Sequence, residues 1–252
     1  MRVVDCHVHL HSRTFFEAHV ERSEPPVAER RGGGYLFRAA DGEALEIPED
    51  FFDVERQLGE LGEQGVDAAV SGVGAVSLDH LPLRQAVELA MHLNEERAEL
   101  ERRFPGRLYA LALLPMRDAQ AAIQTLDHAI RALALRGVSV APGDGDGIGA
   151  SGPVFQRIAE LGVPVFLHHC PRSHVEWLLE ENPSLTVVHG PESNGLPCHV
   201  ASAANAPDRL LFASGYPYAS AADALAAMRR RLDGQDLDAA LSGNAASMLG
   251  LG

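Results

Sequence analysis

Asp5-Cys6-His7-Val8-His9-Leu10 is the stretch on which the reading of the fold turns. Val3 and Val4 lead into it, so a β-branched run ends in two histidines one residue apart. Successive side chains of a strand point to opposite faces, which places His7 and His9 on one side. Two imidazoles so placed suit a divalent transition-metal ion, zinc first and manganese or iron next, with metal–nitrogen bonds of about 2.0–2.1 Å for zinc. Taken alone, the pair is explained equally well by two solvated or internally satisfied histidines.

Outward from this stretch the same ending recurs. Val163-Pro164-Val165-Phe166-Leu167 runs into His168-His169, and Leu185-Thr186-Val187-Val188 runs into His189. Further β-branched runs fall at about 66–71, 107–114, 137–141 and 209–214, with a weaker one near 197–202. Stretches of helical periodicity separate them, which is the alternation of a parallel sheet with helices packed outside it. Asp118 is placed to cap a helix over 119–135, and Pro153 suits a first turn. Ser173 and Glu176 read as a capping box, and Gly137 and Gly162 as helix closures. The 252 residues suit one domain over 1–252, an α/β fold of the (β/α)8 TIM-barrel kind. The carboxyl ends of barrel strands converge on one face, so three strands that end in histidine describe one site better than three accidents of packing.

Two stretches interrupt the rhythm. Residues 11–52 form an insertion after the first strand, with Gly32-Gly33-Gly34 and a hairpin expected around Arg38 to Ile47. Residues 143–149, GDGDGIG, follow the fourth strand and read as a flexible turn or lid, because they lack the spacing of a calcium loop and the lysine of a phosphate loop. Both leave strand carboxyl ends and so border the catalytic face of a barrel.

Composition narrows the function classes. A formal net charge of −14 with no compensating basic cluster argues against nucleic acid or an anionic membrane as partner, and Arg229 to Arg231 read as a solvated helix face. No apolar run reaches the roughly 18 residues that a membrane span needs. Three cysteines, Cys6, Cys170 and Cys198, are too few for a disulfide framework. The first residues run straight into a strand without a basic, apolar and small-residue leader, so the expected compartment is the cytoplasm. The expected partner is a small-molecule substrate.

Beyond these patterns, DCHVHL at 5–10, YLFRAADG at 35–42, QGVDAAVSG at 64–72, RFPGRLYALALLPM at 103–116, VPVFLHH at 163–169, VVHG at 187–190, DRLLFASGYP at 208–217 and LSGNAASMLGL at 241–251 carry a resemblance. The sequence resembles the amidohydrolase-related family of the amidohydrolase superfamily, of the α-amino-β-carboxymuconate-ε-semialdehyde decarboxylase kind. The resemblance implies a metal-dependent hydrolase or non-oxidative decarboxylase acting on a small carboxylate-bearing or cyclic substrate. It also implies His7, His9 and His168 as metal ligands, His189 as the acid/base beside the metal-bound water, and Arg38 as a clamp for a substrate carboxylate. The chemistry is consistent with those roles. Three neutral imidazoles leave the ion's charge intact and a coordination position open. Histidine moves protons near neutral pH, and the guanidinium fork fits a carboxylate.

The chain departs from the family pattern in two places. Members carry an aspartate in a Ser-Asp-Tyr-Pro motif at the end of the eighth strand, where this chain has Ser214-Gly215-Tyr216-Pro217. Asp144, Asp146, His169, Cys170 or Glu192 could substitute; histidines and water could hold the metal alone, as a Lewis acid for decarboxylation; or the barrel is catalytically silent and binds a small ligand or partner. The chain is also short, with about twenty residues between His168 and His189 and about twenty more before the strand at 209. That shortens the second half of the barrel, and a second copy of the chain, in a homodimer, is one way to cover the thin side. His11, His19, His80, His92, His128, His174 and His199 read as surface or satisfied residues, Cys170 and Cys198 as small buried hydrophobes, and Asn244 as structural.

Overall fold

A computed structural model describes residues 2–39, 42–72, 77–141, 151–168, 170, 172–190, 198–201 and 209–251. The chain begins with β1 (Val4–His9), α1 (Arg13–Val20), β2 (Val27–Arg31), β3 (Gly34–Arg38), β4 (Ala44–Ile47) and a 3-10 turn (Glu49–Phe52). It continues through α2 (Val54–Glu63), β5 (Ala68–Gly72), α3 (Leu83–Arg103), β6 (Leu108–Ala110), β7 (Ala112–Leu113), α4 (Ala119–Arg131), β8 (Val138–Val140) and α5 (Gly152–Leu161). The last part holds β9 (Val165–Leu167), α6 (Arg172–Glu181), β10 (Val187–His189), β11 (Cys198–Ala201), β12 (Arg209–Leu211), α7 (Ala221–Arg231), α8 (Gly234–Asp238), a π turn (Ala239–Gly243) and α9 (Asn244–Leu249).

This is an α/β fold of the TIM-barrel type, built on parallel ladders. One sheet has the order β1-β5-β6, a second runs β7-β8-β9-β10-β11-β12, and β2-β3-β4 form a separate antiparallel meander inside the 11–52 insertion. The expected hairpin is there, with Arg38 opposite Ala44 and Tyr35 opposite Ile47. Strands β8 and β9 are buried on every residue, as expected where one face meets other strands and the other meets helices. On the outer side Val154, Phe155 and Ile158 of α5 and Leu178 of α6 pack on Val138, Val165 and Val187 with no exposed surface. Burying one such side chain fully stabilises by about 1.5–3 kcal/mol.

The two large sheets meet at both edges. At one edge Leu111, between β6 and β7, donates its N–H to Ser71 O at 3.1 Å, while Ala112 donates to Gly137 O at 2.8 Å. Helix α3 reinforces this break with side chains. Arg97 donates to Leu111 O at 2.6 Å, and Asn94 both donates to Leu113 O at 3.0 Å and accepts from Leu113 N–H at 2.8 Å. At the other edge Cys6 N–H donates to Phe212 O, Gly215 N–H to His7 O and His9 N–H to Tyr216 O, at 2.8–2.9 Å. Val8 and Tyr216 form a parallel bridge there.

Several local expectations hold and some do not. Asp118 accepts from Ala121 N–H at 2.8 Å and caps α4, a contact typically worth about 1 kcal/mol. Pro153 lies in the first turn of α5, and Gly162 ends that helix at φ +68°. Ser173 is not a cap, because α6 already starts at Arg172. Gly137 does not close a helix either: α4 ends at Arg131, and a Cβ on Gly137 would lie 2.7 Å from Pro164 O, so close backbone approach demands glycine. The weak segment near 197–202 is β11, which runs antiparallel to both β10 and β12. Among the described residues no helix lies between β10 and β12, and no helix is long and apolar enough to cross a membrane.

Candidate functional site

The site starts from an irregularity in β1. Asp5 pairs with Ala69 and Val8 with Ser71, so three steps of β1 face two of β5. Such a bulge resets the alternation of faces. Val4 and Cys6 pack with Val70 of β5, Phe166 of β9 and Val188 of β10, from both large sheets, and with Leu111 and Ala213 beside them. Val8, also an even position, packs outward with Leu58 and Leu61 of α2 and Leu225 of α7. His7 and His9 therefore share a side, as expected, and are half-buried while Cys6 and Val8 are buried.

The two imidazoles touch, with His7 Nε2 3.0 Å from His9 Nε2. His168, directly after β9, meets His7 edge-on with ring centroids 4.9 Å apart. A Cβ on Gly72 would lie 3.4 Å from His168 Nε2 and 3.2 Å from Ser139 Oγ, so the bare backbone at the end of β5 leaves room beside that imidazole. His189 ends β10, opposite Leu167 in the ladder, and is half-buried. The carboxyl ends of β1 and of the neighbouring strands β9 and β10 thus contribute His7 with His9, His168 and His189.

Asp5 and Gly215 hold the seam between β1 and the end of the last strand. Asp5 is fully buried, and one carboxylate oxygen accepts from His7 N–H at 3.1 Å and from Ser214 N–H at 3.0 Å. Burial pushes its carboxyl up to about 6, against the lowering effect of the Ser214 and His7 hydrogen bonds. Gly215 is buried at φ +76°, in the left-handed region. The sequence treats position 215 only as a lost carboxylate; the backbone gives glycine a conformational reason as well.

An aromatic wall stands beside His9. Tyr218 meets its ring edge-on at 5.3 Å and places its hydroxyl 2.7 Å from His11 Nε2. Phe51, from the 3-10 turn of the insertion, stacks on His11 at 6.0 Å with 8° between planes. Burial lowers His11 to about 4, which favours a neutral ring beside the Tyr218 hydroxyl, and burial raises the Tyr218 phenol, which keeps its proton. Sequence reasoning passed over Asp5, Tyr218 and Phe51. Asp5 had a signal, a carboxylate inside an apolar strand, whereas Tyr218 and Phe51 meet His9 and His11 only in the fold.

Arg38 ends β3 and is exposed. Asp144, Asp146, His169 and Glu192 and the 143–149 segment lie outside the described residues. Cys170 is partly buried, and burial raises its thiol to about 11. His19 is buried and paired with His80, their Nε2 atoms 2.7 Å apart, and Asn244 donates to Leu210 O at 2.9 Å. His199 is in β11, opposite His189.

The donor set fits a divalent ion in chemistry: one cation about 2.0–2.1 Å from each of two nitrogens spans their 3.0 Å separation, and a third imidazole adjoins. Among the described residues no three His, Cys, Asp or Glu side chains are drawn together as a finished metal cage, so His168 would have to turn towards the pair.

Comparisons with known proteins give the chain a family and a fold. The family profile described as Amidohydrolase matches residues 4–190. The 2-amino-3-carboxymuconate-6-semialdehyde decarboxylase of Dictyostelium discoideum is 29% identical over 127 residues, covering 49% of this chain and 35% of that protein. The chain's matches span between 35% and 54% of the length of its curated relatives. Among solved structures, Metarhizium anisopliae IDCase in apo form superposes with a TM-score of 0.81 at 13% identity, covering 99% of this chain and 97% of that one. A dihydroxybenzoic acid decarboxylase from Polaromonas sp. JS666, with bound manganese and 2-nitroresorcinol, superposes with a TM-score of 0.68 at 14% identity and the same coverage. At these identities the structural matches speak for the fold.

Proposed function

Since the chain belongs to the amidohydrolase family, we propose that it is a metal-dependent, non-oxidative decarboxylase of a small carboxylated aromatic, with its strands closed into one barrel by the β1 seam. The observation that carries this reading is the 3.0 Å approach of His7 Nε2 to His9 Nε2 with His168 against them. Those three histidines would hold the ion, zinc or, as in the Polaromonas structure, manganese. When bound, the ion supplies Lewis-acid stabilisation of negative charge on the substrate.

The protein's own residues have defined tasks. The substrate C–C bond to the carboxylate breaks, CO2 leaves, and the electron pair stays on the ring carbon. Protonated His189 gives its proton to that carbon and is recharged from solvent, so one proton is consumed per CO2 released. Arg38 binds a substrate carboxylate through its fork, which requires the insertion to bring it over the strand ends. Gly215 supplies no carboxylate base for activating water, and this favours decarboxylation, which needs an acid, over hydrolysis. The same glycine favours a second reading, a catalytically silent barrel that binds a small ligand.

The test is metal content of untagged protein after zinc or manganese supplementation, followed by CO2 release over a panel of hydroxybenzoates, with lactones and amides as hydrolytic controls. CO2 release that depends on the metal supports the proposal. Bound metal with no turnover selects the silent barrel, hydrolysis alone selects a hydrolase, and no bound metal removes the metal-dependent reading.

A further inference from the structure

We propose that Tyr218 is a positioning residue for His9, braced in turn by His11 and by Phe51 of the insertion. The functional weight of this inference rests on the reading of His9 as a ligand; the bracing itself does not. Three attachments fix Tyr218. Its N–H donates to Gly215 O at 3.0 Å, its hydroxyl lies 2.7 Å from His11 Nε2, and its ring meets Phe51 edge-on at 5.7 Å. His11 is itself held between Phe51 and Phe16, with centroids 6.0 and 5.6 Å away. The face left to Tyr218 meets His9 at 5.3 Å and 70°.

The consequence for His9 is geometric. Its backbone N–H is tied to Tyr216 O at 2.8 Å, so the ring retains only rotation about its side-chain bonds. Terminal rotation of an imidazole is broad and roughly two-fold unless neighbours restrict it. The Tyr218 ring stands in the path of that rotation and keeps His9 Nε2 turned towards His7 Nε2. A ligand already held in its bound orientation loses less freedom on binding. The third histidine of the His7-His9-His11 series thus acts on His9 through a phenol supplied by the opposite end of the chain, and would reach a metal held there only by way of His9.

The experiment uses the full chain with Tyr218→Leu, Tyr218→Phe and, as a control outside the site, Tyr35→Phe. Imidazole 15N spectra of His9 in metal-free protein are compared with zinc titrations. In Tyr218→Leu the His9 signals should collapse from a single-tautomer pattern to an averaged one, and zinc affinity should fall at least tenfold. Tyr218→Phe keeps the ring but frees it from His11, and should broaden the same signals with about a threefold loss. Tyr35→Phe should change neither. Unchanged His9 signals in folded Tyr218→Leu overturn the inference, and if that variant does not fold, unchanged signals in Tyr218→Phe do so. Should the wild-type chain bind no zinc, the metal reading fails while a moved His9 spectrum still supports the bracing.

Discussion

Replacing Gly215 by aspartate separates two roles that the structure assigns to one position. Gly215 is buried at φ +76°, hydrogen-bonded through its N–H to His7 O at 2.9 Å. A side chain in the left-handed region costs about 1–2 kcal/mol, with aspartate among the better-tolerated residues. Gly215→Ala should therefore lose about 1–2 kcal/mol whether or not metal is present. Gly215→Asp should lose at least as much in metal-free protein, because a carboxylate is also buried. With zinc the two variants should diverge. A fourth ligand that tightens zinc tenfold adds about 1.4 kcal/mol at saturation, enough to offset the strain. Urea unfolding of both variants in chelator and in excess zinc, with competition titrations of affinity, measures each part. If Gly215→Asp binds zinc no more tightly than Gly215→Ala, the end of the last strand does not face the histidines. If Gly215→Ala costs under about 0.5 kcal/mol, the conformational reason for glycine is wrong.

His7→Ala combined with His9→Ala should abolish metal binding in a folded protein, and retained binding measured by metal analysis places the site elsewhere. Arg38→Ala should weaken a bound carboxylate by about 1.5–3 kcal/mol if the clamp forms, and calorimetry showing equal affinity would end that assignment. Asn94→Leu orphans the N–H and C=O of Leu113, at about 1–3 kcal/mol each, so denaturation should report a loss of about 2–6 kcal/mol. The His19–His80 pair gives a pH dependence. Burial lowers both groups, His80 to about 4 with help from the charges of His19 and Arg22. Their neutral forms contribute stability that is complete above about 6.5 and is lost as pH falls from there through about 4. His80→Gln should flatten the fall in urea midpoint between pH 7.5 and 4.5, and an unchanged slope would assign it to other groups.

What the chain reveals before it is folded depends on the range of the interaction. The strands at Val165–Leu167 and Val187–His189 announced themselves because both faces are buried, leaving a continuous apolar run, and the histidines were legible because strand ends in such a fold converge. The direction of β11 was not legible, since a four-residue strand reads identically in either sense. Nor was the bulge between Asp5 and Val8, which changes no residue type yet decides which positions face inward. Alternation placed His7 and His9 together correctly, but it would have put Cys6 on the opposite side from the strand-lined interior that it helps fill. Tyr218 was invisible for the plainest reason: more than two hundred positions separate it from His9.

The reversed sense of β11 gives two connections of similar length opposite tolerances to change. Strand β10 ends in His189, and because His199 pairs with His189 the start of β11 lies at that same rim. The far end of β11 and the start of β12 lie together at the opposite rim, away from the histidines, with Val200 paired to Arg209. Antiparallel neighbours need only a hairpin, whereas parallel ones need a crossover of a dozen residues or more, so each connection can lengthen or shrink without disturbing strand order. Variation in the first would be felt by whatever occupies the mouth of the site, and variation in the second would not. Grafted sequence, a fluorescent tag or a protease site belongs in 202–208, and attempts to widen or redirect specificity belong in 190–197.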